Sequence, residues 1–211
     1  MTAADWRAVL AGFHPQALSG TLLRLVESQE QVATRALVGT LARQALLEDL
    51  LEATKPPARP GSEGLHYLLA TPFRYPPLRH GSRFGGRFEP SLFYGALTVD
   101  TVLAEAAYYR FVFWFGMAMP PPAPVATQHT LFGADYATGH GANLAEAPFA
   151  AYRDLLVAPA RYDATQALGA ALRLAGIEAF EYESARAPGG VNVALFEPRA
   201  LAGAAPRFQE T

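Results

Sequence analysis

The sequence contains no cysteine among its 211 residues. Disulfides, thiolate zinc sites, iron–sulfur clusters and a cysteine nucleophile are therefore excluded. Positive charge is not in excess either, because 17 Lys and Arg stand against 19 Asp and Glu and the net charge is −2. A chain of this charge is not expected to bind nucleic acid directly. Its five histidines are scattered without the spacing of metal ligands, so we expect no bound metal.

Long hydrophobic runs are also missing. The most apolar stretch, "FVFWFGMAMPPP", is ended by prolines well before it could span a bilayer. The first residues, "MTAADWRAVLAGFHPQ", do not show a basic region followed by a long apolar run. We therefore expect a soluble cytoplasmic protein with no membrane partner. Walker A, GxGxxG, HExxH, GxSxG and EF-hand patterns are absent as well, which removes the common nucleotide-binding and hydrolase classes.

A composition that is 51% hydrophobic, with charges of both signs, is typical of a globular chain with one sizeable core. Residues 18–53 show apolar positions every four residues and predict a helical hairpin. Three prolines and two glycines in residues 55–64, "KPPARPGSEG", then interrupt the helical pattern. We place the domain boundary here, with an N-terminal helical extension over residues 1–60 and a catalytic domain over residues 61–211.

The remaining pattern mixes strands and helices without regular βαβ alternation, which indicates an α+β fold. An Asp163-capped helix that ends at Gly176 and a helix that begins near Thr98 or Asp100 are predicted from their capping residues. The polar segment of residues 128–149 is predicted to begin as a strand and to continue as a loop that lines the substrate entrance. Strands are predicted at residues 65–70, 91–96, 125–133, 177–183 and 191–197, and helices at residues 99–117 and 163–175.

One stretch, residues 79–110, combines an arginine-rich and glycine-rich loop with a glutamate on the following helix. Arginines can bind phosphate oxygens bidentately, and glycines let backbone amides approach the same group, so a pyrophosphate ligand would suit the loop. Glu105 has small alanines beside it, and Tyr108 and Tyr109 follow at helical spacing. Such a carboxylate can hold a ribose hydroxyl or stabilise an oxocarbenium cation. From residue types alone, a solvated loop and an exposed helix charge remain the alternative.

The segments "PFRYPP", "GSRFGG", "LFYGALTVDTVLAE" and "AGIEAFEYESARAPGGVNVALFEP" together resemble the RES domain, a bacterial family named for its Arg, Glu and Ser. The resemblance spans residues 65–201. It matches the family's strand tyrosine to Tyr94 and the helix glutamate, eleven residues later, to Glu105. The family's tyrosine–x–serine–x–arginine turn matches Ser184 and Arg186.

The family arginine has three candidates because this loop departs from the usual "GGRW" wording. Our order of preference is Arg83, Arg74, Arg87. The resemblance implies that Arg83, Glu105 and Ser184 are catalytic, and that the NAD-binding residues are Arg74, Tyr75, Arg87, Tyr94 and Arg186.

The resemblance further implies an ADP-ribosyltransferase-like fold, with a mixed or antiparallel sheet between flanking helices. It implies a toxin of a type II toxin–antitoxin pair that cleaves the nicotinamide–ribose bond of NAD+. Phosphorolysis to ADP-ribose-1″-phosphate is preferred, with inorganic phosphate as co-substrate and no tightly bound cofactor. Glycohydrolysis, protein mono-ADP-ribosylation and non-catalytic nucleotide sensing remain alternatives. The expected partner is a helix-turn-helix antitoxin of the Xre type, and a homo-oligomer is also compatible with the sequence.

Overall fold

The computed structural model describes residues 1–28, 40–122 and 124–211. It has the expected α+β architecture, a sheet core with flanking helices. The described helices are α1 (Ala3–Leu10), α2 (Leu41–Thr54), α3 (Tyr67–Arg74), α4 (Val99–Phe115), α5 (Arg153–Leu156) and α6 (Asp163–Leu174). The described strands are β1 (Gln16–Glu27), β2 (Phe93–Ala96), β3 (His129–Asn143), β4 (Ala179–Glu183), β5 (Val191–Leu195) and β6 (Phe208–Glu210).

The sheet follows the strand order β1-β2-β5-β4-β3-β6, and β1 also pairs with β3. The strands β1, β2, β5, β4 and β3 therefore close into a ring, and β6 joins the outside of β3. The β1–β3 ladder is the longest pairing, running antiparallel from Gln16 opposite Gly141 to Glu27 opposite His129. β3 and β4 pair in parallel, whereas the other named pairs are antiparallel.

Two hydrophobic clusters lie on opposite faces of the sheet because strand side chains alternate in direction. Along β4, Phe180 and Tyr182 enter one cluster while Ala179 enters the other. Helix α1 joins the first cluster through Trp6, which is fully buried and whose indole N–H donates to the Ala164 carbonyl of α6 at 2.8 Å. The other members of this cluster include Phe84, Phe149, Phe196, Leu168 and Leu172, and the second contains Leu22, Leu69, Phe73, Phe93, Phe132 and Leu195.

Several predicted elements are confirmed. Helix α4 begins after Thr98, whose hydroxyl accepts from the Thr101 amide, and ends before the proline cluster. Helix α6 is followed by Gly176 at φ +75°, the left-handed conformation that favours glycine after a helix. Its N-cap is Tyr162 rather than Asp163, which is the first helical residue. Strands β2, β4 and β5 lie within the predicted strand segments.

Three predictions are wrong, and long-range contacts explain each. The first half of the predicted helical hairpin is strand β1, because pairing with β3 satisfies its backbone and buries Leu22 completely. The second half is confirmed where α2 lies, and residues 29–39 fall outside the described part of the chain. The predicted strand at residues 65–70 lies largely in α3, which buries Leu68, Leu69 and Phe73 at helical spacing. The loop predicted after residue 133 is instead the continuation of β3, because this stretch pairs with β1.

The division into residues 1–60 and 61–211 stays a prediction, although β1 from the first part pairs with β3 from the second. Within the three described stretches, no helix has both the length and the apolar character needed to cross a bilayer.

Candidate active site

A cavity of about 610 Å³ opens where β1, α3, β2, α4 and the loop after residue 80 meet. This volume falls in the range typical of sites for small molecules and cofactors. One side of helix α3 contributes apolar and aromatic lining through Tyr67, Leu68 and Pro72, and Tyr75 follows at its end. The polar side chains that line the cavity include Arg24, Glu27, Ser82, Arg83, Tyr94, Glu105, Tyr109, Tyr162, Tyr182 and Asn192.

The glycine-rich loop is a tight turn attached to the sheet by Tyr94. The Tyr94 hydroxyl forms a 2.8 Å hydrogen bond with the Ser82 hydroxyl and accepts the Phe84 amide at 3.1 Å. Gly81 adopts φ +73°, and a Cβ there would lie 2.3 Å from the Gly85 carbonyl oxygen, so the turn requires glycine. The ring of Phe84 is fully buried in the core. These contacts hold the backbone on both sides of Arg83.

The hydrogen bonds within this loop do not support the expectation that its glycine amides approach a phosphate. The Phe84 amide donates to Tyr94, and the Gly85 amide donates to the Ser82 hydroxyl at 3.1 Å. The Gly86 amide donates to the Glu89 carboxylate at 2.6 Å. These three donors already have acceptors within the protein, so the structure assigns the glycines to the turn, and their role in binding an anion stays a prediction.

Arg83 is brought to the cavity and is the one of the three candidate arginines that lines it. Arg83 is 6% exposed to solvent. The Nη1 atom donates to the carbonyls of Leu156 and Ala158 at 3.1 and 3.0 Å, and the guanidinium lies 4.8 Å from the ring centre of Tyr162. These neutral partners fix the orientation of the guanidinium without neutralising its charge, which leaves the cation available to an anionic ligand.

Glu105 lies on α4, and one of its carboxylate oxygens accepts two hydrogen bonds. Oε1 accepts from the Ser184 hydroxyl at 2.6 Å and from the Asn192 side-chain amide at 2.8 Å. The Ser184 oxygen in turn accepts the amides of Arg186 and Ala187, each at 3.0 Å. Ser184 and Asn192 are almost fully buried. Within the described part of the chain no hydrogen bond uses Oε2, so a fixed carboxylate offers one oxygen to a ligand in the cavity.

Burial keeps two phenols of the cavity wall, Tyr94 and Tyr182, neutral. Burial raises the pKa of Tyr94 to about 12, although its hydrogen bonds to Ser82 and Phe84 act in the opposite direction. Burial also raises the pKa of Tyr182 well above its usual value. A neutral phenol can donate or accept a hydrogen bond and can pack against a ring, but it adds no negative charge beside Glu105.

Arg24 is a site residue that the sequence analysis missed. It lies on β1 and lines the cavity. Its Nη1 donates to the Tyr94 carbonyl at 2.6 Å, its guanidinium lies 5.3 Å from the ring centre of Phe93, and its buried Nε has no hydrogen-bond partner. Burial lowers its pKa to about 10, so the side chain remains cationic at neutral pH. A lone cation inside the apolar run "LLRLV" was the available signal, and the helical interpretation of this segment obscured it.

Asn192 was missed as well. It stands between two valines on β5, where a polar side chain interrupts an apolar alternation. An Asn in such a position is 3% exposed and needs partners, and the Glu105 carboxylate provides one.

The remaining predicted residues lie around the cavity rather than all within it. Tyr75 lines the cavity and is partly exposed. Arg74 lies outside the lining and binds the Pro56 carbonyl and the Glu52 carboxylate. Arg87 also lies outside the lining and stacks on the exposed ring of Phe88. The ligand-binding roles of Arg74 and Arg87 stay predictions, and the cavity geometry does not support them.

Arg186 forms part of the support behind the cavity wall. Its guanidinium lies 3.5 Å from the ring centre of Tyr108, and Nη2 donates to the Pro159 carbonyl at 2.6 Å and contacts the Tyr162 hydroxyl at 3.3 Å. Of residues 128–149, which were expected to line the entrance, Thr130 lines the cavity. Residues 129–143 form β3, and residues 144–149 follow that strand and are not among the lining residues.

The cavity therefore joins two arginines that lack carboxylate partners in the described structure to the fixed carboxylate of Glu105 and several phenols. Glu27 also lines the cavity, but its carboxylate is paired with Arg110. Arginines can bind phosphate oxygens, and a carboxylate can stabilise positive charge that develops at a sugar carbon. Apolar and aromatic walls suit the flat rings of a nucleotide. This combination fits a ligand with phosphates, a ribose and an aromatic base.

Comparison with solved structures gives a fold relative. A chain in the crystal structure of the M. tuberculosis MbcT–MbcA toxin–antitoxin complex matches with a TM-score of 0.54 and 14% sequence identity, covering 97% of this chain and 90% of that chain. At this identity the likeness concerns the fold. No curated protein matches the sequence.

Comparison with protein families gives a match that covers most of the chain. The model of the RES domain matches residues 56–211, which include Arg83, Tyr94, Glu105 and Ser184. Arg24 lies before the matched region, on the strand that completes the cavity. The chain therefore belongs to the RES domain family.

Proposed function

We propose that this protein is an NAD-consuming enzyme that cleaves the nicotinamide–ribose bond of NAD+. The observation that carries the proposal is the Glu105 carboxylate, whose Oε1 is fixed by Ser184 and Asn192 while Oε2 remains available on the wall of a cavity that also contains Arg24 and Arg83. Membership of the RES family and the fold shared with a toxin–antitoxin structure support the same assignment.

In this reaction the protein has to position the substrate and stabilise the charge that develops on it. The C1′–N bond breaks and its electrons leave with nicotinamide, which is already a competent leaving group. Positive charge then develops at the ribose, where a carboxylate stabilises it. We assign Glu105 to this charge and to the ribose hydroxyls, and Arg24 and Arg83 to the phosphates. Tyr94 supports the loop that carries Arg83, and its ring lines the same cavity.

We assign phosphorolysis as the reaction. An oxygen of inorganic phosphate bonds to the ribose carbon as nicotinamide departs, giving nicotinamide and ADP-ribose-1″-phosphate. Support comes from the presence of two cations without carboxylate partners in the described structure, since NAD+ and a free phosphate together bring more negative charge than one arginine would balance. Water or a protein side chain as acceptor would use the same pocket.

We further propose that the protein acts in the cytoplasm as the toxin of a toxin–antitoxin pair. The fold relative comes from a complex described as toxin–antitoxin. The proposed partner is a helix-turn-helix antitoxin of the Xre type that covers the cavity and keeps NAD+ out.

The test is to incubate the purified protein with NAD+, with and without inorganic phosphate, and to identify the products by mass spectrometry and phosphorus NMR. Phosphate-dependent release of nicotinamide with ADP-ribose-1″-phosphate is expected, and Glu105→Ala should abolish it. Free ADP-ribose in both conditions would replace phosphorolysis with hydrolysis. Failure to consume NAD+ at all, by a preparation shown to be folded, would overturn the enzyme assignment.

A further inference from the structure

The end of helix α4 exposes an unusual amount of apolar surface. Five residues in and after its last turns, Phe111, Val112, Phe113, Phe115 and Met119, are between 51% and 88% exposed. Residues 111–122 carry no charged side chain. Single exposed apolar residues are ordinary, but a run of large aromatic side chains at one helix end is typical of a surface that binds another apolar surface.

A second apolar surface lies on helix α2. Leu46 and Leu50 fall on one side of this helix, one turn apart, and Leu51 lies next to Leu50 further around the helix. All three leucines are between 46% and 60% exposed. The end of α2 is held to the rest of the protein, because Glu52 accepts from Arg74 Nη1 at 2.7 Å. A leucine stripe on an anchored helix is the kind of surface that packs against a second helix.

The area of the two surfaces can be compared with what a stable dimer needs. With roughly 150–250 Å² for a fully exposed large side chain, the α4 surface presents about 600 Å² and the α2 leucines about 300 Å². The sum is close to the ~800 Å² per partner of a standard protein interface. The α4 surface by itself is at the upper end of the ~300–600 Å² of the largest apolar patch on an ordinary monomer.

We propose that the protein is a homodimer in which helix α2 of each protomer packs on the α4 end of the other. A two-fold arrangement makes this contact twice and covers both surfaces on both protomers. The uncharged α4 surface offers nothing to a polyanion such as nucleic acid or an anionic membrane, both of which need clustered cations. A second copy of the chain, by contrast, brings a matching leucine stripe. Because α4 carries Glu105, the dimer would also brace the helix that presents the carboxylate.

The oligomeric state can be tested directly by sedimentation equilibrium and light scattering across micromolar concentrations. The wild-type chain is expected at twice its 22.7 kDa mass. Phe111→Ser with Phe115→Ser, and separately Leu46→Ser with Leu50→Ser, should each raise the dimer Kd by at least about 100-fold. Leu174→Ser is the matched control, because this leucine is 72% exposed on α6 and belongs to neither surface.

Mixing the two double variants distinguishes the proposed pairing from alternatives. A mixed dimer keeps one intact α2–α4 contact, so the mixture should dimerise more strongly than either variant alone. The proposal is overturned if the wild-type protein is a monomer at these concentrations. It is equally overturned if that monomer binds neutral lipid vesicles or another protein through α4. A Leu46→Ser, Leu50→Ser variant that dimerises like wild type would overturn the α2–α4 pairing. Circular dichroism establishes that each variant is folded.

Discussion

Replacing Ser184 with alanine should weaken catalysis by releasing Glu105. In the folded protein the Ser184 hydroxyl donates to Glu105 Oε1 at 2.6 Å, and Asn192 donates to the same oxygen at 2.8 Å. Hydrogen bonds to a charged group contribute roughly 1.5–3 kcal/mol each. If that contribution is needed to hold the carboxylate in the transition state, its loss lowers the rate about 10- to 100-fold. Asn192 still holds Oε1, so the loss should be smaller than that of Glu105→Ala.

The same substitution has a separate cost in stability. The Ser184 oxygen accepts the amides of Arg186 and Ala187, and without it these donors lose their acceptor in a site that is only 4% exposed. We expect the free energy of unfolding to fall by about 1–3 kcal/mol. Ser62→Ala is a matched control, since Ser62 is similarly buried and donates to the Arg59 carbonyl at 2.6 Å, outside the residues that line the cavity. It should lose stability without loss of rate.

The assay is nicotinamide release from NAD+, measured as kcat and KM for the wild type, Ser184→Ala, Glu105→Gln and the double variant. If Ser184 acts through the charged carboxylate, its substitution should change the rate less than about threefold in the Glu105→Gln background, because directly coupled residues are not additive. The reasoning is refuted if Ser184→Ala lowers kcat by the same factor in both backgrounds, or if a folded Ser184→Ala protein retains the wild-type kcat.

Two further substitutions test the cavity wall and its support. Arg24→Met should raise the KM for NAD+ at least about tenfold, because it removes a cation from the cavity wall. The melting temperature should change little, because the lost hydrogen bond to the Tyr94 carbonyl lowers stability while the lost desolvation of a buried guanidinium raises it. An unchanged KM would contradict the role of Arg24 in binding NAD+. Gly169→Ala should lower the free energy of unfolding by roughly 1–3 kcal/mol and reduce kcat, because its Cβ would lie 1.8 Å from the Phe84 carbonyl oxygen beside Arg83. Gly12→Ala is the control, because a Cβ at this position meets no atom within 4 Å. In the same denaturant titration it should change the free energy of unfolding by less than about 0.5 kcal/mol. Equal effects of the two substitutions would contradict the packing argument.

The sequence alone predicted the elements whose signals are local. Helix α4 has its cap at Thr98 and its stop in the following prolines, and α6 has glycine at its end, so both could be identified from neighbouring residues. The apolar residues of β4 and β5 likewise predicted two strands that are buried in the sheet. The spacing of Tyr94, Glu105 and Ser184 was enough to suggest the family.

Tertiary structure decided what depends on distant partners. The segment of β1 carries apolar residues that suit a helix as well as a strand, and only a ladder to residues more than one hundred positions away selects the strand. That choice also brings Arg24 to the cavity, and the pairing of β5 brings Asn192 to Glu105 across 87 positions of sequence. Among Arg74, Arg83 and Arg87, the cavity geometry favours Arg83 in the same way, because the carbonyls of Leu156 and Ala158 hold it at the cavity. The sequence by itself thus determined the residue types of the site and those elements that have local caps and stops, such as α4. The closure of the sheet decided which side chains meet, since hydrogen bonds between distant segments leave no local pattern.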